Sequence, residues 1–323
     1  MAAEIPLAAG STTAFITRWW VAARPFSFPA STMPVLFGAL LAAVLTAGSP
    51  HWGRLLLSLA AMLLLQSGAN ILNDATDFRR GLDREPTPGS GAVVRRLLTP
   101  RQAIRGAALL FGMGTLLGFF LAWQTTWWLL AVGATGVTLG VLYTPGGAPA
   151  LKYRGLGDVA VFCAFGLLGS LGSWMVQTGS AAWPPVIYAL PLGLLVAAIL
   201  HANNWRDAPT DYRGGILTPA IILGDRGSSI YFHILLILPF LLVPLFVTLP
   251  RWVAPHPSPL PATCLASLAA FPVARHLLVR ARRRHSSMNP MDFIALDGAT
   301  ARLNLIFGLL LNAGLAFHLV LQP

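Results

Sequence analysis

The chain has 323 residues, of which 55% are hydrophobic and only 10% are charged. Such a small number of polar side chains cannot cover the surface of a soluble globule of this size. The composition therefore excludes an ordinary water-soluble enzyme and predicts a protein solvated mainly by lipid. The net charge of +11 would suit a nucleic acid partner, but the positions of the basic residues favour a membrane instead.

Long apolar runs recur along the chain, each near the roughly 20 residues that a helix needs to cross a bilayer. They predict nine transmembrane helices, at 26–47, 55–78, 103–123, 126–144, 157–177, 184–205, 229–249, 262–280 and 299–320. Because a helix satisfies its own backbone hydrogen bonds in lipid, the predicted fold class is all-α and polytopic. No linker divides the chain, so we expect one membrane-embedded domain over residues 1–323.

The basic residues predict the orientation of these helices. All Lys and Arg except Arg54 and Arg251 lie in the amino-terminal segment, near the inner end of the last helix, or around the connections that follow even-numbered helices. Since positive charge marks the cytoplasmic side, we expect a cytoplasmic amino terminus. We also expect a multi-pass protein of the cell membrane, with a site that opens to the cytoplasm.

The acidic residues are concentrated in two windows, NILNDATDFRRGLD and HANNWRDAPTD, which follow the second and sixth predicted helices. In each window an Asn precedes an Asp by four positions, a spacing that places both on one helix face. The aligned residues are Asn70, Asn73 and Asp77 on the first helix, and Asn203, Asn204, Asp207 and Asp211 on the second. Ionisable residues beside membrane spans are costly, so both stripes indicate a functional site.

Carboxylate and amide oxygens without His or Cys beside them suit a hard cation, and Mg²⁺ takes few protein ligands together with water and phosphate. We therefore expect Mg²⁺ as the cofactor, held with a diphosphate between the two acidic helix ends. Basic residues would meet the remaining phosphate charge. The candidates are Lys152, which is the only lysine, and Arg24, Arg80, Arg154 and Arg206. A diphosphate substrate in a membrane is most simply an isoprenoid diphosphate.

Six stretches carry a family resemblance: RPFSFPASTMPVLFG, NDATDFRRGLD, GSGAVVRRLLTP, YTPGGAPALKYRGLGDVAVFCAFG, NNWRDAPTDYRGGILTPAIILG and ATARLNLIFGLLLNAGL. In this order they resemble the UbiA superfamily of intramembrane prenyltransferases over nearly the whole chain. More narrowly, they resemble the branch of 1,4-dihydroxy-2-naphthoate prenyltransferases of menaquinone synthesis and their animal relatives. The resemblance implies a helical bundle around a central cavity.

The resemblance also implies roles for single residues. The first Mg²⁺ and diphosphate site would consist of Asn73, Asp77 and Asp83, and the second of Asn203, Asn204, Asp207 and Asp211. Lys152 and Arg206 would bind phosphate, and Tyr143 and Tyr153 would lie near the aromatic substrate. The general family pattern has its last Asp four positions after Asp77, where this chain has Gly81. Asp83 follows two positions later, as in the quinone branch.

The implied reaction moves a polyprenyl group from an isoprenoid diphosphate to 1,4-dihydroxy-2-naphthoate with loss of CO₂, giving demethylmenaquinone after oxidation. The catalytic residues would be Asp77, Asp207, Asp211 and Lys152. Asp158 would either orient the phenol or accept its proton, or it would cap a helix start. Two alternatives stay open: a UbiA-type enzyme that uses another acceptor or cyclises its own prenyl chain, and a transporter for an anionic solute.

Other polar residues receive structural interpretations. The stretch DGATAR from Asp297 to Arg302 mimics the start of a CDP-alcohol phosphotransferase signature, but the two further Asp of that signature are missing. We expect these two residues to pair locally or to face the inner interface. We further expect His201 to be a packing residue and Asp225 to be a helix cap.

Overall fold

The computed structural model describes residues 12–81, 91–143, 150–248, 259–285 and 291–321, and within these ranges it contains helices and turns but no strand. The helices are α1 (Thr12–Ala23), α2 (Pro29–Thr46), α3 (Trp52–Arg79), α4 (Pro100–Gln124), α5 (Leu129–Tyr143), α6 (Gly157–Thr178), α7 (Pro184–Tyr188), α8 (Leu190–Arg213), α9 (Pro219–Thr248), α10 (Ala262–Arg282), α11 (Met291–Ile294) and α12 (Leu296–Leu321). The predicted all-α fold class is confirmed.

Seven helices in the described ranges are long and apolar enough to cross a membrane, namely α2, α3, α4, α6, α9, α10 and α12. The other two predicted spans fall on α5, which has 15 residues, and on α7 with α8. Helix α8 is apolar at its start but ends in the second acidic stripe. The chain is therefore an integral multi-pass membrane protein, while the total of nine spans and the cytoplasmic amino terminus stay predictions.

Large apolar side chains lie both in the core and on the outer surface of the bundle. Phe37, Phe232 and Phe307 are completely buried in the core, whereas Leu116 and Leu241 on α4 and α9 are exposed. A water-soluble protein rarely exposes such residues in contiguous patches. Their exposure is what lipid-facing helices require.

Small residues bring the central helices together. Gly38 on α2 lies directly against the backbone carbonyl of Ser170 on α6, and Gly166 on α6 lies against Gly193 on α8. Between helices in lipid, close packing of this kind takes over much of the role that the hydrophobic effect has in water. The contacts fix α6 between α2 and α8, which places the first turn of α6 beside the polar end of α8.

Helix α9 starts with a break at Gly224, whose φ of 65° lies in the left-handed region that glycine tolerates. Asp225 follows the break and was expected to cap a helix. Its carboxylate instead accepts hydrogen bonds from Trp205 Nε1 at 3.0 Å and from the guanidinium of Arg284 at 2.6 and 2.7 Å. Asp225 thus ties the start of α9 to α8 and to the end of α10.

Gly38→Ala is expected to lower the thermal unfolding midpoint, because the added Cβ would overlap the carbonyl oxygen of Ser170. Overpacking of this kind costs about 1–3 kcal/mol. Gly112→Ala is the matched control, since a Cβ on this exposed position of α4 meets nothing within 4 Å. Thermal unfolding of both variants in one detergent tests the prediction, and equal midpoints would contradict it.

Candidate active site

A cavity of about 920 Å³ lies between the polar ends of α3 and α8 and the turn at Leu151–Arg154. It brings together twelve residues that the sequence predicted for the site. These are Arg24, Asn70, Asn73, Asp77, Arg80, Tyr143, Lys152, Asn203, Asn204, Arg206, Asp207 and Asp211. The two acidic stripes, which are far apart in the sequence, therefore face one space.

On the α3 side of the cavity, a buried ion pair joins Asp77 to the turn after α5. Lys152 Nζ donates to Asp77 Oδ2 over 2.7 Å, and both side chains are largely buried. Burial lowers the pKa of the Lys152 ammonium, but the negative charges of Asp77 and Asp211 outweigh it and raise the pKa above its ordinary value. Lys152 therefore stays positively charged at neutral pH.

Asp77 still has one oxygen to offer. Its Oδ1 is buried and makes no hydrogen bond to any other described residue. A buried carboxylate oxygen without a partner is costly, and such atoms in native sites call for a specific explanation. An oxygen-binding cation fits this position, because Mg²⁺ takes one or two carboxylates and completes its shell with water and phosphate.

On the α8 side, Arg206 holds Asp207. Its Nε and Nη2 donate to the two carboxylate oxygens of Asp207 at 2.8 Å each, and Asn203 Nδ2 donates to Asp207 Oδ2 at 3.2 Å. The remaining nitrogen, Nη1, donates to Asp297 Oδ2 at 2.7 Å and to the carbonyl of Ile294 at 3.2 Å. Asp297 therefore pairs with Arg206 of α8 rather than locally, while the other expectation, a position at the inner interface, stays a prediction.

Arg24 reaches the cavity from a strained backbone position. Its φ of 54° lies in the left-handed region, which costs a residue with a side chain roughly 1–3 kcal/mol. Asn70 Nδ2 supports the turn by donating to Ala23 O at 2.9 Å and to Ser27 Oγ at 3.1 Å. Asn70, which the sequence placed on the first oxygen stripe, thus uses its amide nitrogen to hold the turn that carries Arg24.

Asp74 lies one turn before Asp77 on α3 but turns towards a different element. It is completely buried, accepts a hydrogen bond from Val93 N at 2.8 Å, and lies 4.0 Å from Arg24 Nη2. Gly91 packs against the same carboxylate, where a Cβ would leave no room. Asp74 therefore anchors the segment after residue 90. Asp83 lies outside the described residues.

Three predicted site residues lie away from the walls of the cavity. Arg154 is exposed on the turn, and the ring of Tyr153 stacks under the guanidinium of Arg80 at 4.4 Å. Burial raises the pKa of the Tyr153 hydroxyl. Asp158 is buried, and its two oxygens bind Asn204 Nδ2 at 3.0 Å and His201 Nδ1 at 3.2 Å.

A second cavity of about 460 Å³ adjoins the first and is almost entirely apolar. It runs between α3, α4, α5 and α6, and both cavities share the wall residues Ala69, Gly140, Ala164 and Phe165. A polar cavity that continues into an apolar groove can hold an amphipathic molecule with its charged end at Lys152 and its apolar chain between the helices.

No three His, Cys, Asp or Glu side chains within the described ranges stand close enough to hold a metal by themselves. The carboxylates are instead divided between the two helix ends across the cavity. This arrangement suits a cation that shares its ligands with a bound phosphate better than a closed structural metal centre.

Fold and site together define a multi-pass membrane protein with a charged cavity that opens into an apolar groove. The chain belongs to the UbiA prenyltransferase family, whose model matches residues 31–296. The family uses an isoprenoid diphosphate, whose charged head and apolar chain match the charged cavity and the apolar groove.

Relatives with different names are equally similar to the chain. It is 34% identical over 306 residues to UbiA prenyltransferase domain-containing protein 1 of Danio rerio, covering 94% of this chain and 84% of that protein. It is also 34% identical over 261 residues to 1,4-dihydroxy-2-naphthoate octaprenyltransferase of Mycobacterium tuberculosis, covering 81% and 85%. A UbiA homolog from Archaeoglobus fulgidus bound to GPP and Mg²⁺ shares the fold, with a TM-score of 0.60 at 12% identity over 92% of this chain and 99% of that one.

Gly91→Ala is expected to loosen the segment that Asp74 anchors, because the added methyl group would occupy the space of the carboxylate. The amide of Val93, which is bonded to Asp74, should then exchange its hydrogen faster. Hydrogen–deuterium exchange followed by mass spectrometry measures this change. Gly53→Ala is the control, since its Cβ would meet nothing within 4 Å, and unchanged exchange at Val93 in Gly91→Ala would refute the anchor.

Proposed function

We propose that this protein is a Mg²⁺-dependent prenyltransferase that moves a polyprenyl group from an isoprenoid diphosphate to 1,4-dihydroxy-2-naphthoate, with loss of CO₂. The observation that carries the proposal is the single cavity in which both acidic helix ends meet Lys152 and Arg24 and which continues into an apolar groove. Neither the charged cavity nor the groove alone would suit a substrate with both a diphosphate and a long apolar chain.

The diphosphate would lie between α3 and α8, where Lys152 and Arg24 supply positive charge. Lys152 is held at this place by Asp77, so its ammonium is already oriented when the substrate binds and need not be desolvated again. Arg206 orients Asp207 through a two-point contact, and it would reach phosphate by exchanging that contact. Arg154 lies on the exposed side of the turn and would act on approaching diphosphate at longer range.

Mg²⁺ would be held by Asp77 with Asn73 on one helix and by Asp207 and Asp211 on the other, with Asp83 as a further candidate. When bound, it supplies Lewis-acid stabilisation of the negative charge that develops on the departing diphosphate. The residues fit this role because one buried oxygen of Asp77 has no hydrogen-bond partner among the described residues. The name of the archaeal homolog, which includes GPP and Mg²⁺, supports the same assignment.

The prenyl chain would follow the apolar groove, and the aromatic acceptor would approach the allylic carbon from the wall formed by Tyr143 and Phe165. Tyr143 lines the charged cavity close to the mouth of the groove. Dihydroxynaphthoate is supported by the name of the mycobacterial relative. The equally similar animal relative keeps open a different acceptor on the same diphosphate-binding residues.

The clustering of basic residues supports an opening on the cytoplasmic side of the cell membrane. Lys152, Arg80, Arg206 and Arg213 all line the charged cavity. A cavity on that side would receive water-soluble Mg²⁺ and acceptor from the cytoplasm, while the groove would receive the prenyl chain from the lipid.

A product assay on the purified protein in lipid nanodiscs tests the proposal. Geranylgeranyl diphosphate and Mg²⁺ are supplied with 1,4-dihydroxy-2-naphthoate, 4-hydroxybenzoate or homogentisate in parallel, and products are identified by mass spectrometry. The expected product is a prenylated naphthoquinone formed with loss of CO₂. Release of diphosphate without this product would show that the enzyme uses another acceptor or cyclises the prenyl chain itself. Absence of diphosphate release with all three acceptors, and again with shorter and longer prenyl diphosphates in place of geranylgeranyl diphosphate, would favour a transporter.

Asp77→Ala and Asp207→Ala are each expected to abolish turnover, because each removes a carboxylate from one side of the diphosphate site. Asp292→Ala is the matched control. Asp292 lies away from the cavity, and its Oδ1 is 3.4 Å from Nε of Arg280, with which it forms an ion pair. Thermal unfolding midpoints verify that the variants are folded. Full activity in either site variant would refute the assignment of the metal site.

Gly136→Leu is expected to lower kcat/KM for geranylgeranyl diphosphate while leaving dimethylallyl diphosphate nearly unaffected. Gly136 lines the apolar groove, and a side chain there meets no other atom within 4 Å of its Cβ, so it would extend into the groove. Gly112→Leu is the control, because it places the same side chain at an exposed position of the same bundle, outside the groove. An equal loss for both donors would show that the groove does not hold the chain.

A further inference from the structure

A chain of buried hydrogen bonds connects the charged cavity to α9. Asp158, in the first turn of α6, is only 2% exposed. Asn204 Nδ2 donates to its Oδ1 over 3.0 Å, and His201 Nδ1 lies 3.2 Å from its Oδ2. His201 Nε2 lies 3.2 Å from the carbonyl oxygen of Ser228. Of these four residues, Asn204 is the one that lines the cavity.

The hydrogen-bond partners of His201 determine how many protons the chain holds. A carbonyl oxygen only accepts hydrogen bonds, so Nε2 must carry a hydrogen for Ser228. The contact of Nδ1 with Asp158 then requires a second hydrogen, either on Nδ1 or on the carboxyl group. In both cases the two groups together carry no net charge, which lowers the cost of burying them.

The position of the imidazole ring is fixed from the side as well. The rings of His201 and Tyr231 pack nearly perpendicular to each other, with their centroids 4.7 Å apart and an angle of 87° between their planes. His201 is completely buried, so its ring has no freedom to turn away from Asp158. The carboxylate of Asp158 is therefore held in one orientation between α8 and α9.

This orientation determines which atom of Asn204 faces the cavity. An asparagine amide has one donor nitrogen and one acceptor oxygen. Because Asp158 Oδ1 accepts a hydrogen bond, the nitrogen of Asn204 must point towards it. The carbonyl oxygen is then the atom left for the cavity, which Asn204 lines together with Asp207, and amide oxygens are ligands that hard cations accept.

We propose that Asp158 and His201 are positioning residues that present the carbonyl oxygen of Asn204 to a Mg²⁺-bound diphosphate. The proposal rests on the proposed function. It gives Asp158 a role behind Asn204 in place of the expected direct contact between Asp158 and the acceptor. Some residues hold a metal-binding side chain in place by a hydrogen bond to the polar group that does not face the metal. Removing such a residue typically lowers metal affinity about 10- to 100-fold. Asp158 holds Asn204 in this way, and His201 holds Asp158.

A double-mutant cycle tests the proposal through binding alone. Isothermal titration with Mg²⁺ and inorganic pyrophosphate is carried out on the full chain in nanodiscs. The proteins are the wild type, Asp158→Ala, Asn204→Ala and the double variant. Asp158→Ala is expected to weaken binding about tenfold or more. The double variant should bind no more weakly than Asn204→Ala, because both changes act through one amide. Independent, multiplying losses would overturn the proposal.

Asp158→Asn provides the conservative variant. Its amide can turn the oxygen towards Asn204 and the nitrogen towards His201 Nδ1, so the chain of hydrogen bonds can persist without the carboxylate charge. Binding close to the wild-type value is expected, and a loss as large as in Asp158→Ala would contradict positioning by hydrogen bonds. If Asp158→Ala does not fold, Asp158→Leu, which fills the same space with an apolar side chain, takes its place in the cycle.

The same titration separates failure of this proposal from failure of the proposed function. If Asp77→Ala and Asp207→Ala bind pyrophosphate as the wild type does, the site does not hold a metal-bound diphosphate and both proposals fail. If those two variants lose binding while Asp158→Ala keeps wild-type affinity, only the positioning role is overturned.

Discussion

Charges that are removed from water must be paired, and the polar end of the bundle depends on how this chain pairs them. An isolated carboxylate in a poorly hydrated interior costs several kcal/mol. Asp77 is therefore set against Lys152, and Asp207 against Arg206. Arg206 also binds Asp297, so one guanidinium connects α8 to α12. The elements around the cavity are thus held by charge, whereas the rest of the bundle is held by small residues in close contact.

Paired charges of this kind suit a site for a charged substrate in the proposed reaction. A cavity with unpaired carboxylates would repel a diphosphate, and one with unpaired cations would hold it too tightly for the product to leave. Alternating carboxylates and cations let an incoming anion and its metal ion exchange partners with groups already in place. Within the described part of the chain, the pairing is incomplete at Asp77, one oxygen of which has no hydrogen-bond partner there.

The helical period made the two acidic stripes predictable, because side chains four positions apart share a face whatever surrounds the helix. It also aligned Asp77, and not Asp74, with Asn73, and Asp77 is the one of the two that lines the cavity. What it could not show is the partner of Asp74, because the amide of Val93 lies in a different segment of the chain. The partner of Arg206 was equally hidden, since Asp297 lies 91 positions away and was considered only for a different motif.

The buried hydrogen bonds of Asp158 and His201 also differ from the roles that the local sequence suggests for these two residues. Each has an ordinary interpretation alone, as a helix-start residue and as a packing residue of an apolar helix. Their connection requires that α6 approach α8 closely, and that approach depends on Gly166 and Gly193. A pattern along one helix carries no information about which glycine of another helix it will meet.

The contrast between the charged cavity and its apolar walls indicates where substrate specificity lies. Two relatives with different names are equally similar to this chain, so residues that bind diphosphate cannot by themselves distinguish their acceptors. In a hydrophobic pocket, one methylene group changes discrimination by only about 1–3 kcal/mol. Selection of a particular aromatic acceptor therefore requires polar contacts as well, and Tyr143 lines the charged cavity together with the uncharged Leu139 and Phe165.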